Sequence, residues 1–403
     1  MKLSLLALAI SWPFAAISAQ TVLVVDDDGG PGAEFTEVQA AIDAAAPGDT
    51  ILVKGGTYNA ATIDAISLQL VADRGAAVLL QGVVVRNLAP TDTVVIHGFT
   101  INGLGPSLDV RQSAGVLWLE DSTIVGPDVL IAHGLSSVGV SLSNAGKVVI
   151  ARCGIFAGLG PSGVPGSPGL SLATTELQMF GSTVVGGHQQ AAGMEDGGPG
   201  LFVGSATVHA QGCAITGGNG ADAFQSILCF SAGDGGPGAL TSGTSTLELL
   251  DTTVAGGDGG APTPSCPAGA TGPATEVRGG AVVQTPGAAH RLSADLPVRE
   301  GKTLTFDLSG PPGDAAALFV TPTAAPQAAA PLVGPLLGDL ATLVALPVGA
   351  FPASGTLQVS FTVPTFPAGF DALGLFAQIV GADTLGRVTG GSGQHVTGLS
   401  AVF

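Results

Sequence analysis

Six stretches of this chain repeat one pattern, and a repeat narrows the choice of folds more than any single motif does. The stretches are VVIHGFTING from Val94, LWLEDSTIVG from Leu117, VVIARCGIFAG from Val148, LQMFGSTVVGG from Leu177, VHAQGCAITGG from Val208 and LELLDTTVAGG from Leu247. Their starts lie 23, 31, 29, 31 and 39 residues apart, which reads as a short structural unit carrying insertions of different length. Apolar residues alternate with variable ones in each copy, the period of a strand with one buried face, and a following glycine releases the chain into a turn. A second apolar run precedes the later copies, in SPGLSL, GPGLFV and GPGAL around Gly169, Gly200 and Gly238. Two or three short strands cannot bury a face alone; stacked on copies of themselves they can. The repeat therefore predicts an all-β parallel β-helix, a solenoid in which equivalent positions become neighbours along a rod.

The first coil of a solenoid exposes apolar ends and unpaired strand edges. Just ahead of the repeats, Thr36 and Gln39 have the spacing of a capping box, and Val38, Ala41, Ile42 and Ala45 line one helical face. Pro47-Gly48-Asp49 then breaks the helix, and Thr50 to Val53 starts a strand. A helix over about residues 36–46 is expected to be a lid on the solenoid.

The run FTEVQAAIDAAAPGDTILVKGGTY, residues 35–58, closely resembles the amino-terminal signature of right-handed β-helix proteins of the pectin lyase-like superfamily, in its secreted bacterial branch. The resemblance covers roughly residues 20–288 and implies a right-handed solenoid. Many members of that superfamily act on polysaccharides, and many others have no known activity. This chain departs from the enzymatic members. The N-x-D, paired Asp, G-H-G and R-x-K motifs of the hydrolases are missing from the solenoid, and the acidic run Asp26-Asp27-Asp28 precedes the lid. The lyases combine an acidic calcium cluster with an Arg or Lys base, and no acidic cluster surrounds Arg74, Arg86, Arg111, Lys147, Arg152 or Arg278 along the sequence.

From about Leu292 the glycine-rich loops give way to alternating strands, TLTFDL, TLQVSFTV, LGLFAQIV and LSAVF, between proline-rich turns. Residues 289–403 are expected to form a smaller antiparallel β-sandwich that closes the open end of the solenoid or serves in sorting or attachment. Residues 1–19 read as a secretory signal peptide cleaved after Ala19, and no later stretch is apolar and long enough to span a bilayer. The expected location is secreted or on the cell surface. With 12 Lys and Arg against 30 Asp and Glu, the net charge of −18 argues against nucleic acid or anionic lipid as a partner.

Cys153 and Cys213 share a turn column with Ser122, Ser182 and Thr252 and lie two coils apart, beyond disulfide reach, so both are expected as small buried thiols. Cys229 and Cys266 fall in insertions of successive coils of an exported chain and are expected to bond. GGNGADAFQ, Gly217–Gln225, fits a calcium-binding nonapeptide with Asp222 as the carboxylate, but GGDGGA from Gly256 has Ala261 where the tandem copy needs Asp. Calcium through Asp222 is the one cofactor the sequence suggests. GPSGVPGSPG, Gly160–Gly169, is too short for a collagen triple helix and reads as a polyproline-like loop.

Repeat register also aligns the outward positions. One column runs Val95, Trp118, Val149, Gln178, His209, Glu248, and its neighbour runs His97, Glu120, Ala151, Phe180, Gln211, Leu250. His97 and Glu120 should stack about 5 Å apart, with Trp118 beside them and Asp121 and Arg152 in the adjoining turn. A carboxylate, an imidazole and an aromatic platform are what a polysaccharide lyase or glycosidase would use. His97, Glu120, Asp121 and Arg152 are therefore the catalytic candidates, and Trp118, His209 and Glu248 the binding candidates. The competing reading is a solvated face with one favourable His–Glu contact and a half-buried Trp. The poverty of ionisable residues on the strands favours an exported non-enzymatic protein with a structural, surface or adhesion role, in contact with a polysaccharide or an envelope or matrix component. The alternative is a carbohydrate-active enzyme.

Overall fold

A computed structural model describes residues 20–128, 138–160, 164–189, 194–225, 229–329 and 332–403. The predicted signal peptide lies outside the described residues. The six repeats do lie one above another: Leu117 pairs with Val94 and Val148, and Leu177 with Val148 and Val208. Their strands belong to a ten-stranded parallel sheet, from Val22–Val25 to Ala281–Thr285, and two eight-stranded parallel sheets complete the coils of a β-helix. Inward residues of the long sheet, among them Ile96, Leu119, Ile150, Met179 and Ala210, are wholly buried. Burial of each Leu or Ile of this kind contributes roughly 1.5–3 kcal/mol.

The corners explain the polar part of the repeat. The residue after each long-sheet strand is left-handed in every copy: Gly98, Asp121, Arg152, Gly181, Gly212 and Asp251 have φ of 85°, 49°, 55°, 53°, 63° and 48°. This bend turns the chain into the next sheet and is easiest for Gly and Asp. The following column, Ser122, Cys153, Ser182, Cys213 and Thr252, closes the corner. Ser122 Oγ donates to Glu120 O and accepts from Phe99 N of the coil before it, and Ser182 and Thr252 repeat the arrangement. Cys153 and Cys213 are free and buried, each thiol directed at a strand carbonyl, and burial pushes both thiols up to about 12.

The lid is an α-helix, Val38–Ala44, that buries Val38, Ala41 and Ile42 against the first coil. The capping box does not form. Glu37 is the N-cap and makes no side-chain cap bond, and Gln39 instead bonds Asp43 Oδ1 at 2.7 Å and the Thr62 backbone, fastening the helix to the coil beneath. Thr50–Val53 is not the first strand either, because Val22–Val25 precedes the helix and pairs with it.

The glycine-rich insertions leave the corner between the two eight-stranded sheets and pack on one another. Gly217, Gly220 and Ala223 donate to the carbonyls of Ala255, Asp258 and Ala261, while Gly218 and Ala221 donate to Gly198 and Glu195. A return to the same neighbour every third residue fits polyproline-II backbone, which has three residues per turn. Carboxylates tie the layers together: Asp128, Asp196, Asp222 and Asp234 accept backbone N–H bonds from Leu159, Asp234, Ala261 and Ala270 of the next insertion. Cys229 and Cys266 form a disulfide across the outer part of two insertions, with Cα atoms 5.5 Å apart.

The carboxy-terminal region has a three-stranded antiparallel sheet and a five-stranded sheet, antiparallel except for its edge strand Val298–Arg299, around Leu292, Phe306, Leu318, Phe351, Ile379 and Val396. LSAVF is not a strand; the last strand, Val388–Leu399, ends at its first residue. That strand, VTGGSGQHVTGL, was hidden by its glycines, which are poor strand formers. One of them is needed where the strand lies against the solenoid, since a Cβ on Gly393 would sit 2.8 Å from the Trp118 indole, while Gly390, Gly391 and Gly398 are closely packed by other residues of the carboxy-terminal region. The sandwich covers the outer face of the long sheet, along its side.

Candidate functional site

The outward columns meet the sandwich, and that contact decides what the candidate residues do. Trp118 and Glu120 are wholly buried, and His97 is 7% exposed. An apolar patch joins Val95, Trp118, Val149 and Phe180 of the solenoid to Ala324, Leu337 and Phe376 of the sandwich, with the Trp118 and Phe376 rings 5.0 Å apart. A second patch joins Val22, Val24 and Leu52 to Ala372 and Leu399.

Between these patches lies a polar cluster centred on Glu120. Its Oε1 is 3.1 Å from His97 Nδ1. Its Oε2 accepts from Trp118 Nε1 at 2.9 Å, Arg152 Nη2 at 3.3 Å and the His395 backbone N–H at 2.9 Å. The stacked His97–Glu120 pair is thus present, and the neighbouring turn adds what the sequence placed near it. Arg152 grips both oxygens of Asp121 at 2.8 Å, and its Nη1 donates to Leu292 O and Gly393 O of the sandwich at 3.1 and 3.0 Å. Asp121 and Arg152 occupy the same left-handed corner position in successive coils, and their bond spans that one coil step. Arg152 therefore does sit among carboxylates, as a clamp between domains. Reading along the chain missed this because its carboxylates come from another coil.

His395, Leu292 and Gly393 complete the cluster and had no signal in the sequence. Phe376 packs against His395 with ring centroids 4.8 Å apart and the planes tilted by 60°, and the imidazole is buried. Burial pushes His395 down to about 4, against the pull of Glu120, with His97 adding to the depression. For Glu120 burial works upward but is outweighed by the His97 hydrogen bond and charge, Arg152 and His395, which together hold the carboxyl down to about 2. His97 is raised, because the Glu120 bond and charge and Asp121 exceed the lowering due to burial and Arg152.

The signs give a pH profile. Glu120 stabilises the fold above the ordinary carboxylate pKa of 4.5, and that contribution is lost as pH falls toward about 2. Neutral His395 costs stability once pH falls below 6.5, increasingly down to about 4. His97 works oppositely: its contribution is complete below 6.5 and is lost as pH rises through its raised value. Urea midpoints should peak near neutrality and decline in acid, and His395→Asn should flatten the decline between pH 6.5 and 4. An unchanged slope in that variant would reject His395 as its source.

His209 Nδ1 is 3.3 Å from Glu248 Oε2, so these two binding candidates are also neighbours; His209 is buried against the sandwich near Gly334, while Glu248 remains 45% exposed. His97, Glu120 and Asp121 present ligand atoms within 4.8 Å of one another, as do Asp26, Asp27 and Asp28, but Arg152 is bound to both carboxylates of the first group. Asp222 belongs to neither group, and its Oδ1 accepts from Ala261 N at 2.8 Å.

A cleft of about 790 Å³ opens between the domains, lined by Arg152, Arg291, Asp307, Gln358 and hydroxyls of the sandwich. Its one lining carboxylate, Asp307, is held by Gln358 at 2.7 Å. A smaller recess of about 440 Å³ beside Arg86 and Arg111 likewise has one, Asp109. Neither sets two carboxylates across a gap, the arrangement that glycoside hydrolysis uses. Among the described residues no helix is long and apolar enough to cross a membrane. No family model matches the chain, and no curated protein matches it in sequence.

Proposed function

We propose that this is an exported, non-enzymatic β-helix protein of the pectin lyase-like superfamily with a structural, surface or adhesive role. The observation that carries the proposal is the state of Glu120. The best acid or base candidate is wholly buried, held ionised, and engaged by three side chains and a backbone N–H. A general acid or base needs access to the proton it moves. The same residues act instead as a rigid fastening between solenoid and sandwich. The Cys229–Cys266 bond supports an oxidising, extracellular setting. The layered insertions, held by backbone bonds and acidic side chains, supply an outer surface for contact with a polysaccharide or envelope component.

Incubating the folded chain with neutral and acidic polysaccharides, with and without calcium, should release neither reducing nor unsaturated ends, while immobilised polysaccharide or envelope fragments should retain the protein. Products that vanish in a folded Glu120→Gln variant would overturn the proposal.

A further inference from the structure

The cleft of about 790 Å³ between solenoid and sandwich has an ordered polar wall. It is built on the three-stranded sheet of Arg291–Ala294, Thr303–Ser309 and Thr356–Thr362. Arg291, Ser309 and Thr356 stand opposite one another across these strands, and Ser293, Asp307 and Gln358 form the next row on the same face. Strand alternation sends Leu292 and Leu308, between the rows, into the sandwich core. The six polar residues line the cleft. Two residues along a strand put the rows about 7 Å apart.

Arg291 is the exception among the arginines. Seven of the eight are paired with a carboxylate, in a chain of 12 basic and 30 acidic residues. Arg291 makes no ion pair and no side-chain hydrogen bond among the described residues, although it is exposed beside Asp307. Its guanidinium lies against a solenoid corner: a Cβ added at Gly212 would be 3.1 Å from Nη2 and 3.2 Å from Nε. Glycine at 181 and 212, where the earlier coils carry Asp121 and Arg152, keeps the cleft open. Arg152 fixes the adjoining wall through Leu292 O and Gly393 O. The Ser293 and Ser309 hydroxyls are also uncommitted among the described residues, and Asp307 gives only Oδ1 to Gln358.

We infer that this wall binds a sugar residue carrying a single oxyanion, a carboxylate or a sulfate ester. The Arg291 guanidinium takes two oxygens of either group through parallel N–H bonds. Ser309 and Thr356, in its row, offer hydroxyl donors to the same anion. Asp307 Oδ2, in the next row, accepts from the sugar's hydroxyls, which a bare anion lacks. The cleft has the size of a small-ligand site, roughly 300–1,000 Å³. The ligand's charges must be sparse. A net charge of −18 repels a chain with an anion on every residue, and Asp307 repels a second anion beside the first. The inference rests on the polysaccharide contact proposed above and adds a defined cleft to the surface of the insertions.

Glucuronate, glucose sulfate and glucose, titrated against the full chain by calorimetry and saturation-transfer NMR, test this. At least one charged sugar should bind about tenfold or more tightly than glucose, and the preference should fade as salt rises. The tighter of the two names the anion. Arg291→Gln changes an exposed side chain outside the buried clusters, so it should keep wild-type circular dichroism and lose the preference. Arg291→Lys should keep part of it. Inorganic sulfate should bind more weakly than glucose sulfate. The inference is overturned if neither charged sugar binds more tightly than glucose, or if folded Arg291→Gln binds them as wild type does. Inorganic sulfate binding as tightly as the better sugar also overturns it. Any of these results leaves retention of the chain by immobilised polysaccharide, and with it the proposed function, standing. Loss of that retention with the titrations intact overturns the proposed function alone.

Discussion

Glu120→Ala is expected to destabilise the chain by about 3–5 kcal/mol, as the removal of one partner from a buried ion cluster does. The loss exceeds that of the hydrogen bonds alone, because Arg152 and His97 stay buried after their shared carboxylate is gone. Trp118 Nε1 and the His395 N–H also lose their acceptor. Each buried donor left unpaired adds about 1–3 kcal/mol. Arg152 keeps Asp121, so the clamp is weakened but not abolished. The sandwich should loosen before the solenoid melts, since the solenoid's own core lies on the inward face. Urea unfolding followed by tryptophan fluorescence measures the effect, because Trp118 sits in the contact. A Glu120→Ala chain within about 1 kcal/mol of wild type would mean that the cluster adds little to docking.

Gly218→Ala is expected to cost about 3 kcal/mol or more, or to prevent folding of the insertions, the upper range for adding a methyl group to a closed site. Its added Cβ would lie 2.0 Å from the Gly187 carbonyl oxygen, and that oxygen belongs to backbone. Backbone held on several sides cannot move aside as a flexible side chain can. The crowding is steric, for Gly218 has no left-handed φ. Gly105→Ala is the control: nothing lies within 4 Å of its added Cβ, so it should be neutral. Thermal melts of the two variants separate the array from glycine content as such. Equal stability of both would show that the layers yield easily.

Much of the scaffold was legible in the residues. Leu117, Val148 and Leu177 could be placed one above another because a strand repeat leaves a periodic trace, and periodicity survives in one dimension. His97 over Glu120 followed from the same register. Gly-Gly runs announced turns and insertions, but not that the insertions would bond to each other every third residue, since each bond joins segments with unrelated spacing. Thr36 and Gln39 misled: their spacing suits a capping box, yet Gln39 found a better acceptor and donor in Asp43 and Thr62.

By itself the sequence determined a stacked β-coil with a helical lid, a β-rich carboxy-terminal region, buried thiols at two corners, and the neighbours within each column. Tertiary structure alone decided whether the sheet face that carries Trp118, His97 and Glu120 meets solvent or protein. The His395 N–H that binds Glu120 lies 275 residues away, and no local preference or repeat links them. Docking of two already formed surfaces depends on shape, on glycine at Gly393 where Trp118 needs room, and on pairing every buried charge. Those conditions exist only once both domains have folded, so the chain's order of residues does not announce them.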